Sequence, residues 1–287
     1  MSKLPDSTVG YICTNENAFV SCTISLDVEH FPLPQKQHDD NYYNFGKIGS
    51  HNVIMCCMPF EDGCTPSVAA VSMMRSFPSS KLLVLVSGNA GAVPRGEVHV
   101  GDVVVAQKLV KTNPDGDLVE KPLLEASGLL AATDMKACQQ WSLDEDIATL
   151  SARSKRWGGK CRRPAGDGAD KLDKIFVPRS QGEPASVGHL HGLVISNPTH
   201  PEDAGYRDSF AGSGTFESAS GICFDHGQTA GLLPLNGRGV DAVSVLGLSN
   251  YCDQDSEEDR SRWMRYSSMA AAACARKIVM RLANETE

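Results

Sequence analysis

Three stretches of this sequence hold side chains whose types and spacing could do chemistry. Asp225-His226-Gly227-Gln228 sets a carboxylate, an imidazole and an amide close together, and His200 ends the segment Ile195-Ser196-Asn197-Pro198-Thr199-His200 upstream. Imidazole is the side chain best suited to proton transfer near neutral pH. His200, His226 and Asp225 are therefore the candidates for acid–base work, the alternative for each histidine being a surface or capping role. Ser87-Gly88-Asn89-Ala90-Gly91 follows an apolar run, and the backbone amides of such a turn can face an anion. Asn250 ends another apolar run and offers an amide, which holds a ligand by hydrogen bonds but cannot give up a proton and remain an anion. No His, Cys, Asp and Glu cluster has zinc spacing, and no cofactor is expected.

The elements that must position these groups are short apolar runs alternating with longer helical patterns, the signature of an α/β layer fold. Strands are expected at Thr8–Cys13, His51–Met58, Leu82–Ser87, Asp102–Ala106, Gly192–Ile195, Ser220–Cys223 and Ala242–Leu248. Helices are expected at Thr65–Ser76, Pro122–Cys138 and Arg262–Leu282, the last Ala-rich with a basic end that suits the helix dipole. The stretch 154–169 is rich in Gly, Arg and Lys and reads as a mobile, solvated surface loop.

The 287 residues are enough to bury a core without disulfide or metal staples, and one domain spanning 1–287 is expected. A net charge of -8 argues against nucleic acid as a partner. The ten cysteines are scattered with no CxxC pair, so free thiols in a cytoplasmic protein are expected. Apolar runs such as Leu82–Val86 are far too short to span a bilayer, and no membrane association is expected.

Ordered motifs along most of the chain resemble the fungal branch of the nucleoside phosphorylase superfamily. Val9-Gly10-Tyr11-Ile12-Cys13 is similar to that family's first strand, and Gly46-Lys47-Ile48-Gly49-Ser50-His51-Asn52-Val53-Ile54 follows its next motif. Gly101-Asp102-Val103-Val104-Val105, His191-Gly192-Leu193, Arg207-Asp208, Cys223–Leu232 and Val245–Asp253 keep the family order. The resemblance implies a three-layer α/β fold, a central mixed and partly barrel-like sheet flanked by helices, and a homo-oligomer (dimer, trimer or hexamer). It also implies that Ser87, Gly88, Asn89, Asn197, Phe224, Gln228 and Asn250 line a small-molecule site.

The departures from the family pattern fall on its charges. Asn250 stands where the family's Asp acts on a purine base, and Gln228 stands where its Glu grips the ribose. Val86 replaces the arginine that holds phosphate. Ala18 occupies the place of the Glu with which hydrolytic relatives activate water, and Glu16, two residues away, reads as a helix-start carboxylate. Asp253 matches a second family Asp and reads as a helix cap, and His51 as structural. A neutralised pocket of preserved shape suggests an enzyme acting on a neutral small organic molecule without phosphate, as a cyclase, isomerase or lyase. The alternatives are N-glycosidic cleavage of a nucleoside and a non-catalytic binding or storage module.

Overall fold

The structure, a computed structural model, describes residues 8–58, 65–93, 98–112, 118–119, 140–164, 181–197, 203–211, 221–232, 235, 240–253 and 257–282. Strands buried on both faces of a sheet read as nearly unbroken apolar runs, and β1 (Thr8–Cys13) is such a strand, buried at every position. It pairs in parallel with β4 (His51–Cys57) and β5 (Ser80–Ala92). Outside β4, antiparallel β3 (Tyr42–Ile48) and β2 (Val28–His30) complete one wing.

The other side of β5 closes on itself. β11 (Asp241–Asn250) runs parallel to β5, β6 (Val103–Thr112) antiparallel to β11, β9 (Val187–Ser196) parallel to β6, and β10 (Gly221–Asp225) parallel to β9. β10 then pairs with the end of β5, Cys223 opposite Ala92 and Phe224 opposite Gly91. These five strands make the closed part of a partly barrel-like sheet, and β7 (Leu118–Val119) and β8 (Gln140–Ser142) extend β6 and β9.

Helices flank this sheet. They are α1 (Glu16–Ile24), α2 (Pro66–Ser76), α3 (Asp144–Arg153), α4 (Lys155–Gly158), α5 (Ala204–Ala211), α6 (Gln228–Leu232) and α7 (Glu257–Val279). The run Met269–Ala275 of α7 is wholly buried. Its small side chains let the helix lie close on β5, and Gly88 marks the contact: a Cβ there would sit 2.5 Å from the Ser268 nitrogen.

Every strand expected from sequence is present, with β5, β6 and β9 longer than their apolar runs because barrel pairing continues past them. The last helix spans Glu257–Val279, shifted toward its N-terminus, and the expected helix Pro122–Cys138 lies outside the described residues. The stretch expected to be a solvated loop differs over 154–164: the Ser154 hydroxyl caps α4 and Cys161 is fully buried. The eight described cysteines are buried and form no disulfide. No described helix is long and apolar enough to cross a membrane.

Candidate functional site

The C-terminal ends of β5, β9, β10 and β11 gather most of the chemistry-bearing residues. The β5 bulge carries Ser87, Gly88 and Asn89: Ser87 is buried, and its Oγ accepts from the Asn89 N–H at 3.3 Å. Asn89 Nδ2 lies 3.2 Å from His226 Nε2, just beyond β10. An amide nitrogen can only donate, so Nε2 accepts and the ring is the neutral Nδ1–H tautomer. Burial pushes the imidazole pKa down and stabilises that neutral form, against the pull of Asp225.

Asp225, at the end of β10, is buried and fully engaged. Its Oδ1 accepts from Ser196 Oγ at 2.5 Å and Gly227 N–H at 3.0 Å, and its Oδ2 from Thr229 N–H at 2.6 Å. Ser196 Oγ in turn accepts from Ala230 N–H at 3.2 Å. Burial pushes the carboxyl pKa up, while these donors favour the carboxylate. Asp225 thus ties the start of α6 to the ends of β9 and β10. That geometry is a brace for the turn that carries His226 and Gln228.

Asn197 follows β9, and its N–H donates to the Asp225 carbonyl at 3.1 Å while Nδ2 donates to Tyr206 Oη at 3.3 Å. Phe224 packs in a separate apolar cluster with Val93, Leu193, Ile195, Ile222 and Cys252. Gln228 opens α6, half-buried. Asn250 ends β11 opposite Gly91 and is 1% exposed. Its Oδ1 accepts from the Cys252 N–H at 2.9 Å and its Nδ2 donates to Ser249 Oγ at 3.1 Å. The backbone donor fixes which end of the amide is oxygen, so the other end presents N–H. His200 lies outside the described residues.

Arg207 and Asp253 shape the site in a way that the sequence reading did not assign to them. Arg207 of α5 is 1% exposed; its Nη1 donates to the Tyr251 carbonyl at 2.7 Å and to Asp253 Oδ2 at 3.2 Å, and its Nε donates to Asp208 Oδ1 at 2.7 Å. Asp253, expected as a helix cap, is instead half of this clamp on the turn after Asn250. The Arg207-Asp208 motif is visible in the sequence, and it does not reveal a partner 46 residues away. Glu16 begins α1, exposed, with Asn15 as the cap, and does not approach the site in place of Ala18, which is fully buried. Val86 is fully buried in β5. His51 Nε2 lies 3.3 Å from the Leu282 carbonyl, a structural contact. Among the described residues no group of three His, Cys, Asp or Glu could hold a metal.

Sheet and helices together match the fold of the nucleosidases and nucleoside phosphorylases. S-adenosylhomocysteine nucleosidase of Streptococcus pyogenes, in complex with 5-methylthiotubericidin, superposes with a TM-score of 0.58 at 15% identity, covering 99% of this chain and 100% of that one. An Asp-to-Asn mutant of the Helicobacter pylori 5'-methylthioadenosine/S-adenosylhomocysteine nucleosidase, with 5'-methylthioadenosine in its active site, gives a TM-score of 0.55 at 14% identity over 96% of this chain and 99% of that one. Among curated proteins, a nucleotide-binding leucine-rich repeat (NLR)-like protein of Hyaloscypha variabilis is 33% identical over 94% of this chain. The chain spans 29% of the length of that relative. No family model matches the chain.

Proposed function

We propose that this chain binds a nucleoside at the strand-end site and holds it, releasing the base only slowly and by hydrolysis without phosphate. The observation that carries the reading is the Asn250 amide. Locked by the Cys252 N–H, it offers a hydrogen bond to a base and no titratable proton for its departure. A positioned general acid contributes about 10²–10⁴-fold to such a step. Two further features point the same way. Val86 puts an apolar side chain where the family resemblance has the phosphate-holding arginine, and the half-buried Gln228 brings an uncharged amide where it has a ribose-binding carboxylate.

The cyclase, isomerase or lyase reading is not carried forward. It rested on shape, hydrogen bonding and at most one histidine, and nothing in the described site supports it over nucleoside chemistry: the described candidate, His226, is neutral and engaged with Asn89. The fold neighbours are nucleosidases by name, which favours nucleoside chemistry over a new reaction class.

Calorimetric titration with 5'-methylthioadenosine, adenosine and inosine tests binding, and absorbance tests base release with and without phosphate. Saturable binding of at least one nucleoside, with turnover far below about 1 s⁻¹, the lower end of common enzyme rates, is the expected result. Absence of binding to all three overturns the reading, and so does turnover at or above that rate.

A further inference from the structure

The segment from Arg153 to Arg163 holds six of the 27 Lys and Arg residues and none of the 35 Asp and Glu, in a chain of net charge -8. Two of the six are committed: Arg153 pairs with Asp27 at 3.0 Å, and Arg163 donates to the Ala185 carbonyl at 2.5 Å. Lys155, Arg156, Lys160 and Arg162 are exposed, with no ion pair among the described residues.

The turn that displays these cations is pinned rather than loose. Ser154 Oγ accepts from the Trp157 N–H at 3.2 Å, and the Trp157 carbonyl accepts from the N–H groups of Lys160 and Cys161 at 2.8 and 3.1 Å. Gly158 packs so tightly on α3 that a Cβ would lie 1.9 Å from the Ser151 carbonyl. Cys161 is fully buried beneath the turn. Like charges repel, and a solvated charge run relieves this by spreading; here the backbone is fixed and the cations stay together.

We propose that the surface formed by Lys155, Arg156, Lys160 and Arg162 binds a soluble, multiply phosphorylated small molecule. Each phosphate group brings up to two negative charges and three acceptor oxygens, a density that single carboxylates do not reach, and guanidinium forks match its geometry. A bilayer surface fits less well. The exposed large apolar side chains among the described residues are Val28, Phe31, Tyr42, Val68, Val71 and Met280, and none lies in this stretch to insert. A nucleic acid fits less well too, because Lys160 Nζ sits over the Trp157 ring at 5.7 Å, on a face that a base would need.

The test is calorimetric titration of the full chain with inositol hexakisphosphate, at physiological and at high salt. The parent is compared with Lys155→Glu/Arg156→Glu/Arg162→Glu and with a control of equal charge change elsewhere, Lys36→Glu/Lys47→Glu/Lys111→Glu. A milder pair, Lys155→Gln/Arg162→Gln, serves if the reversal triple melts early. Salt-sensitive binding that falls by at least about tenfold in the patch variants, a shift of about 1.4 kcal/mol, and holds in the control is the expected result. No binding by the parent, or equal loss in patch and control variants, overturns the proposal. So does tighter association with phosphatidylcholine vesicles carrying phosphatidylinositol bisphosphate, or with a single-stranded oligonucleotide, than with the soluble probe. Nucleoside binding at the strand ends is read separately and does not enter this result.

Discussion

Replacing Arg207 by Met keeps most of the buried stem and removes the guanidinium, so the loss can be worked from its partners. The Tyr251 carbonyl would lose a charged donor in a buried setting, and a buried acceptor left unmatched costs about 1–3 kcal/mol. Asp253, 22% exposed, would lose its cation; breaking a fully buried pair costs about 3–5 kcal/mol, and partial solvation of this carboxylate reduces that to about 1–2. Asp208 is 54% exposed, and its pair with Arg207 adds little. The sum is a destabilisation of about 2–5 kcal/mol, or a fall in Tm of roughly 4–20 °C at the ~2–4 °C per kcal/mol usual for large domains. Thermal melting by near-UV circular dichroism, with urea unfolding as a second measure, reads it. Arg207→Lys should recover part of the loss, since it keeps the charge but not the fork. A Tm within about 2 °C of the parent for Arg207→Met, or no difference between Met and Lys, refutes the clamp.

Asn250→Asp should speed base release from whichever nucleoside binds by about 10²-fold or more, because it supplies the missing acid; an unchanged rate in an absorbance assay would remove Asn250 as the cause of slow turnover. Burial lowers the His226 pKa in the folded state, so the unfolded chain binds this proton more readily and stability falls as pH drops below the unfolded value near 6.5. Melting curves between about pH 7.5 and 5.5 should show a smaller fall for His226→Gln than for the parent, and equal falls would contradict the burial argument. Gly88→Ala should destabilise by about 1–3 kcal/mol or more, since the new methyl meets the backbone of α7 at Ser268 as well as that residue's hydroxyl; a neutral result in urea unfolding would show that α7 can move away from β5.

The fold was readable because its central strands are apolar runs bounded by turn residues, and such runs report buried parallel strands directly. Their lengths were less readable. β5 continues through Ser87-Gly88-Asn89-Ala90-Gly91, where no apolar pattern survives, because β10 and β11 pair with it there. The positions of Asn89, His226 and Asn250 at one end of the sheet followed from the ordered motifs. Their states did not: nothing local says that His226 accepts from Asn89, or that Ser196, Gly227 and Thr229 consume both oxygens of Asp225. Those are contacts between strand ends far apart in sequence. The order within 154–164 was not legible for a related reason, since its anchors are the Ser154 cap and the buried Cys161 and not an amphipathic pattern.

β5 pairs with β1, β11 and β10 on either side of its bulge at Gly88 and Asn89, so its paired amides are held across three neighbours and do not open one at a time. In hydrogen exchange such a strand is released only by global unfolding, and its protection reports the full stability of the protein. Ser87 and Asn89 ride on that strand. A ligand arriving there meets backbone that is already ordered, so association carries little of the entropy loss that a flexible binding loop would impose. Exchange rates at the paired positions of β5 should therefore change on ligand addition only by as much as the whole protein is stabilised.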